Sequence, residues 1–113
     1  MTIPRALALY VALLRAEVAS ASRKRLKVRR ARIATELQEL LSLVDVTIAV
    51  KRAGDHAGAA CAALFDDLER AGVSGAACTA AERQRALAAI DALEWELRAA
   101  RPSDEARALG LAW

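Results

Sequence analysis

Apolar residues recur three and four positions apart in several separate segments of the chain, the spacing that places them on one face of an α-helix. The first segment begins at Thr2 and Pro4, a helix-start signature because proline lacks the N–H that a first turn leaves unpaired. Leu9 and Leu13 add apolar surface on a second side of this segment, which predicts a helix covered on more than one face. Its main inner face consists of Leu7, Tyr10, Val11, Leu14 and Val18.

The second helical segment follows without any Gly or Pro between residues 5 and 53. One helix of about 70 Å could cover that length, but we expect a break or sharp bend at residues 20–22. A break favours Ser22 as the N-cap, although three cations would then oppose the helix dipole in the first turn. The apolar face of the segment consists of Leu26, Ile33, Leu37, Leu40, Val44 and Ile48.

Residues 44–50 alternate between apolar and polar or small residues, a pattern that indicates a β-strand when it is read alone. No other β-rich run could pair with such a strand, so we expect the helix to continue through it. Gly54 is the predicted end of this helix, and Asp55 can cap the next one.

The third and fourth helices are predicted on either side of a loop at about residues 72–79. Thr79 and Glu82 form a capping box, in which each side chain can satisfy an unpaired N–H at the start of the fourth helix. Pro102 stops that helix, and a short C-terminal helical turn follows. The inner faces are Ala57, Cys61, Leu64, Phe65 and Leu68 in the third helix and Leu87, Ile90, Leu93 and Leu97 in the fourth.

Composition agrees with an all-α fold. Hydrophobic residues make up 56% of the 113 positions but aromatic residues only 4%, so the apolar content is largely Ala, Leu and Val. Ala and Leu are strong helix formers, and a chain of this length builds one core. We therefore predict a single all-α domain, residues 1–113, in which a bundle of about four principal helices is followed by the short C-terminal turn.

Charge is distributed unevenly along the chain. Residues 1–32 contain nine Lys or Arg and one acid, whereas residues 33–113 contain eight Lys or Arg and thirteen acids. Seven of the cations fall within residues 23–32, which we call the basic run: Arg23, Lys24, Arg25, Lys27, Arg29, Arg30 and Arg32. On a helical projection these charges surround the helix, so their mutual repulsion requires a counter-charge.

Three sources of that counter-charge are open at this point. Acids elsewhere in the chain could pair with the basic run, an anionic membrane surface could attract it, or it could bind the phosphates of a nucleic acid. Five of the seven cations are arginine, whose guanidinium group suits phosphate oxygens. The run contains no aromatic residue for base stacking, so we expect contact with the nucleic-acid backbone that does not depend on sequence.

The sequence gives little indication of catalysis or metal binding. His56, Cys61 and Cys78 lack zinc-ligand spacing, and the only histidine has no partners for a catalytic triad. We therefore expect no catalytic residue, metal, cofactor or small-molecule substrate. Both cysteines are expected to be reduced in a cytoplasmic protein, because neither a disulfide framework nor a convincing signal peptide is present. The apolar run at residues 6–14 is too short to span a membrane.

Trp95 is the second feature that suggests a function. It lies away from the inner face of the fourth helix and beside Ala88, Ala92 and Ala99, a group that we call the α4 ridge. Either this helix is central and buries both faces, or the ridge is a protein interface with an aromatic anchor. Trp113 could serve the same interface.

The sequence thus predicts a non-enzymatic helical subunit of a larger nucleoprotein assembly, which binds nucleic-acid backbone and packs against protein neighbours or further copies. Small subunits of CRISPR effector complexes and accessory proteins of phages and plasmids are examples of this kind of protein. The alternative is a protein-interaction scaffold or regulator whose basic run pairs with acids and which has no nucleic-acid role.

Overall fold

Four long helices and one short helix form the bundle. The computed structural model of the chain describes residues 2–71 and 76–110, and the helices are α1 (Ile3–Ala19), α2 (Leu26–Ser42), α3 (Ile48–Ala71), α4 (Ala76–Ala99) and α5 (Asp104–Ala108). The long helices form a ring in which α3 packs most extensively on α4, and α1 contacts both α4 and α2. The predicted all-α bundle with a short C-terminal helix is confirmed.

The core lies between the inner faces of the four long helices, and most of the predicted inner positions are buried. Phe65, Leu7 and Leu14 are among the largest fully buried side chains. Tyr10 and Leu87 are half-buried and pack against this core. The helical periodicity therefore assigned the inner faces of α1, α3 and α4 correctly, since burial of one apolar face is what stabilises such a helix.

The predicted break between the first two helices is confirmed, but Ser22 is not the N-cap. Helix α2 begins at Leu26, and its N-cap is Arg25, which has φ 56° and ψ 39° in the left-handed region. This later start keeps Arg23 and Lys24 out of the first turn, where the partial positive charge of the helix N-terminus would repel them.

The predicted helix end at Gly54 is wrong, and so is the Asp55 cap. Helix α2 ends at Ser42, and the strand-like residues that follow leave the helix: Val44 forms an isolated antiparallel bridge with Pro102. The Asp45 N–H donates to the Arg101 carbonyl at 2.8 Å, so the segment after α4 supplies the β-partner that the sequence pattern lacked. Ile48, expected on the inner face, is exposed.

The predicted capping box at Thr79 is wrong as a helix start. Helix α4 begins at Ala76, so Thr79 lies inside the helix, where its side chain is buried. Of the predicted loop, residues 76–79 are helical and residues 72–75 lie outside the described part of the chain. Ser103 caps α5 instead: its hydroxyl accepts from the Ala106 N–H at 3.0 Å and donates to the Ser42 carbonyl.

Gly58 provides a first prediction about stability. It lies within α3, and a Cβ added there would meet no heavy atom within 4 Å. Gly58→Ala should therefore raise the free energy of unfolding by about 0.5–1 kcal/mol, because alanine lowers the entropy cost of forming the helix. Urea denaturation measures the change. Gly54→Ala is the matched control, since its Cβ would lie 3.4 Å from both Leu41 Cδ atoms and should gain less.

Arg25 provides a second prediction. Its left-handed backbone is costly for a residue with a Cβ, and glycine adopts that conformation freely. Arg25→Gly should stabilise the fold by about 0.5–1 kcal/mol after its own entropy cost is counted. Lys24→Gly removes a neighbouring charge without relieving a positive φ, and it should be neutral or destabilising in the same urea titration. Equal effects of the two substitutions would contradict a strained backbone at Arg25.

Candidate nucleic-acid interface

The basic run forms the turn after α1 and the first part of α2, and the structure divides its cations into two groups. Arg29, Arg30 and Arg32 pair with acids of neighbouring helices. Arg23, Lys24, Arg25 and Lys27 are exposed, and within the described residues none of them has an ion-pair partner. We call these four residues the basic turn. Internal pairing therefore accounts for only part of the run.

Glu17 of α1 binds two of the paired arginines. The Arg32 guanidinium lies 3.0 Å from Glu17 Oε1, and that of Arg29 lies 3.8 Å from Oε2. The Glu17 side chain is only 19% exposed, so solvent screens these pairs less than a fully exposed pair. Arg29 also donates to the carbonyl and hydroxyl oxygens of Ser20, both at 3.3 Å. These contacts tie the start of α2 to the end of α1.

Arg30 pairs with acids of α3 and not with Glu17 of α1. Its guanidinium donates to Asp66 Oδ1 at 2.9 Å and to Glu69 Oε2 at 3.5 Å, both in α3. The same group lies 5.6 Å from the centre of the Phe65 ring, a cation–π distance. Arg30 thus links α2 to α3 and is less available to an external anion than the cations of the basic turn.

Arg83 of α4 holds the basic turn in place, and sequence reasoning did not identify it. Its guanidinium donates to the carbonyls of Val18, Ala19 and Ala21, the last two at 3.1 and 2.9 Å. Carbonyls at the end of a helix have no partner within it and carry partial negative charge. The fork of Arg83 satisfies them, so the backbone that enters the basic turn is fixed by α4.

Trp95 lies at the surface with 76% of the residue exposed, which excludes the alternative that α4 buries both faces within this chain. Ala88, Ala92 and Ala99 are exposed beside it, so the α4 ridge is an uncovered apolar strip. Trp113 lies outside the described residues. Leu9 and Leu13 are 51% and 47% exposed. The prediction that α1 is covered on more than one face is therefore wrong for the isolated chain.

Two carboxylates near the paired arginines are incompletely satisfied. Glu17 Oε2 and Glu36 Oε2 are buried atoms without a hydrogen-bond partner in the structure. Burial raises the pKa of Glu36, and the charge of Glu17 adds to the rise while Arg32 opposes it. Arg29 and Arg32 therefore balance a locally dense group of acids, which favours a structural role for these two cations.

Two further side chains, His56 and Cys61, were considered for other chemistry. His56 is exposed and lines a groove of about 430 Å³ between α3 and α4, together with the ion pair of Glu82 and Arg85. Burial raises the pKa of the Cys61 thiol to about 11, so that thiol is unreactive at neutral pH. Within the described residues, no three His, Cys, Asp or Glu side chains group as metal ligands do, and no helix there could cross a membrane.

Comparison with known proteins identifies no relative: no family model matches the chain, and neither curated proteins nor solved structures contain a significant match. The functional argument therefore depends on the contacts and charges of the chain itself.

Arg83 provides a third prediction. Arg83→Gln should lower the free energy of unfolding by about 2 kcal/mol, because hydrogen bonds from a charged donor to the carbonyls at the end of α1 and in the following turn are lost. Thermal or urea unfolding measures the loss. The control is Arg85→Gln, which removes an exposed pair within one helix and should cost at most about 0.5 kcal/mol. Similar losses for both variants would contradict the role assigned to Arg83.

Glu36 provides a fourth prediction, on pH. Because its folded-state pKa is raised above 4.5, ionisation of Glu36 weakens the fold as pH rises through that folded-state value. Glu36→Gln cannot ionise, so it should be more stable than the unmodified chain at neutral pH, and the difference should vanish below about pH 4.5. Unfolding curves across this pH range test the sign. The exposed Glu39 on the same helix supplies the control variant, Glu39→Gln.

Proposed function

We propose that this protein is a non-enzymatic helical subunit of a nucleoprotein assembly and that its basic turn binds the nucleic-acid backbone. The observation that carries the proposal is the density of unpaired charge: four of the five residues 23–27 are cations, all exposed and without an ion-pair partner in the described chain. Fixing like charges so close together is unfavourable unless an anion lies beside them.

Phosphate is the anion that suits this turn best. Arginine presents a planar fork that can bind two phosphate oxygens, and lysine adds mobile point charges. No aromatic residue occurs within residues 20–32, so the turn offers nothing on which a base could stack. The proposed contact is therefore electrostatic, independent of sequence and sensitive to salt.

A fixed turn supports the proposal further. Arg83 and Arg29 both bind the backbone just before the basic turn, Arg83 at Val18 and Ala21 and Arg29 at Ser20, so this backbone is held from α4 and from α2. An ordered cationic surface loses less conformational entropy on binding than a flexible one does. In the same proposal, the exposed α4 ridge packs against protein neighbours of the assembly.

A protein-interaction scaffold without a nucleic-acid role is the alternative, and one observation favours it. Three of the seven cations in the basic run already have acidic partners in α1 and α3, so the run is partly a structural element of the bundle. The salt dependence of binding separates this alternative from the proposal.

The test is a salt titration of binding to random single-stranded and double-stranded oligonucleotides. If the four cations of the basic turn each neutralise one phosphate, log affinity should fall with log salt at a slope of about −3 to −4. Changing Arg23, Lys24 and Lys27 to Gln should make the slope shallower by about 2 to 3. Arg25 is left unchanged in this variant because its substitution also alters the backbone strain.

The matched control changes Lys51, Arg52 and Arg101 to Gln. These three cations are also exposed and lack an ion-pair partner among the described residues, but they lie at the starts of α3 and of the segment after α4, at the other end of the bundle. Both variants lose the same net charge. Equal effects would mean that binding follows net charge alone, and a slope near zero in the unmodified chain would overturn the proposal.

A further inference from the structure

The outer side of α4 carries a seven-residue repeat. Its positions lie alternately four and three residues apart, which is the spacing of a coiled-coil seam, and every one of them is exposed. Inner positions of the same helix, such as Ile90 and Leu97, are buried. The chain therefore covers one stripe of α4 and leaves a second one open. This second stripe, which we call the α4 seam, contains the α4 ridge and consists of Ala81, Arg85, Ala88, Ala92, Trp95 and Ala99.

The α4 seam combines small side chains with a single large apolar one. Four of its six residues are alanine, which lets a second helix approach to the short end of the range of about 8–10 Å that is usual between packed helices. Trp95 is the exception, and 76% of it is exposed. A helix that covers this seam must therefore offer small side chains along most of its length and a gap that receives one indole ring.

We propose that this helix is α4 of a second copy of the chain, packed antiparallel across a two-fold axis level with Ile90. In this arrangement every seam position faces another one: Ala88 faces Ala92, and Ala81 faces Ala99. A two-fold interface uses the same patch on both copies, so the patch must supply both the large side chain and the gap. This inference rests on the proposed packing role of the α4 ridge, but it does not depend on nucleic-acid binding.

The remaining layer of the seam places Trp95 of each copy against Arg85 of the other. The gap at that level is bordered by Ala81 and Ala88, whose small side chains leave room for the indole ring. A guanidinium group over the face of a tryptophan ring makes a favourable cation–π contact. The two tryptophans lie about ten residues apart along the seam, or about 15 Å, so they do not collide. The large side chain of each copy therefore meets a gap in the other.

Charges on the α3 side of the seam support the same arrangement. Arg85 pairs with Glu82 of its own helix, yet its side chain is 68% exposed. Glu96 is half-buried and has no ion-pair partner among the described residues. Because the axis is perpendicular to the helices, the α3 sides of both copies coincide, and Glu96 of the second copy lies beside Arg85. Each Arg85 then lies between two acids, one from each copy. The acid nearest the axis, Asp91, is already paired with Arg15.

The α4 seam is long but narrow. From Ala81 to Ala99 it extends about 27 Å at about 1.5 Å per residue, and it is one helix wide. A stable interface buries about 800 Å² on each partner, which a seam of this width does not reach. We therefore expect a weak dimer whose population rises with concentration.

The test is sedimentation equilibrium of the full chain without nucleic acid at roughly 1 to 100 µM. A monomer–dimer equilibrium is expected. Trp95→Ala should weaken dimerisation about thirty-fold, the equivalent of a 2 kcal/mol hot spot. Ala92→Glu should weaken it at least as much, because it places a charge where the two helices lie closest. The matched controls are Val28→Ala and Ala31→Glu, which change exposed residues of α2 outside the seam. Circular dichroism establishes that each variant keeps its helicity.

Disulfide cross-linking tests the direction and register of the two helices. In a Cys78→Ser background, chains with Ala88→Cys should cross-link to chains with Ala92→Cys, because these positions face each other. Buried Cys61 does not compete. Chains with Ala99→Cys are the control, since Ala99 faces a position seven residues, or about 10 Å, from Ala88.

Three results would each overturn the proposal: a chain that stays monomeric throughout the concentration range, a dimer that Trp95→Ala and Ala92→Glu leave unchanged, or preferential cross-linking of Ala88→Cys chains to each other, as parallel helices would give. None of these results changes the salt titration of the basic turn, which tests the proposed function separately.

Discussion

The contact between Arg83 and the end of α1 is the constraint on which the cationic end of the bundle depends. Helix α1 ends against a turn rich in cations, and the carbonyls at its end lack the full set of donors that the helix interior provides. One guanidinium group from α4 bonds the carbonyls of Val18 and Ala19 at the end of α1 and of Ala21 in the turn. Hydrogen bonds from a charged donor are worth about 1.5–3 kcal/mol each, whereas two surface charges 4 Å apart in water repel by about 1 kcal/mol. The backbone anchor is therefore strong enough to keep the basic turn ordered despite its repulsion.

Sequence periodicity predicted the fold class and most inner faces because both follow from local geometry. A helix must bury its apolar face, and the spacing of Leu64 and Phe65 or of Ile90 and Leu97 determines which face that is. Helix ends were harder to predict because distant residues determine them. The end of α2 depends on the pairing of Val44 with Pro102, 58 positions along the chain. Gly54 lies inside α3 and faces the Leu41 side chain of α2, a tertiary contact that no local pattern reveals.

The candidate site, like the fold, was predictable from the sequence only in part. Seven cations were visible in the sequence, and so was a surplus of acids that could pair with some of them. Which cations are paired depends on the packing of α1 and α3 on α2, since that packing brings Glu17 and Asp66 to the arginines. Arg83 gave no local signal, because an arginine on a helix becomes a cap for another helix only through the tertiary fold. The basic turn is therefore a smaller and more specific surface than the basic run that the sequence predicted.

The unpaired cations of the basic turn and the exposed α4 ridge lie on different parts of the molecule, and this separation bears on the proposed function. The basic turn is at one end of the bundle, whereas Trp95 lies well along α4, away from that end. Both sets of side chains are exposed, so neither contributes much to the stability of the isolated fold. The chain thus retains two features that its own folding does not require. The two partners that we propose differ in chemistry: an anion for the basic turn and an apolar protein surface for the α4 ridge.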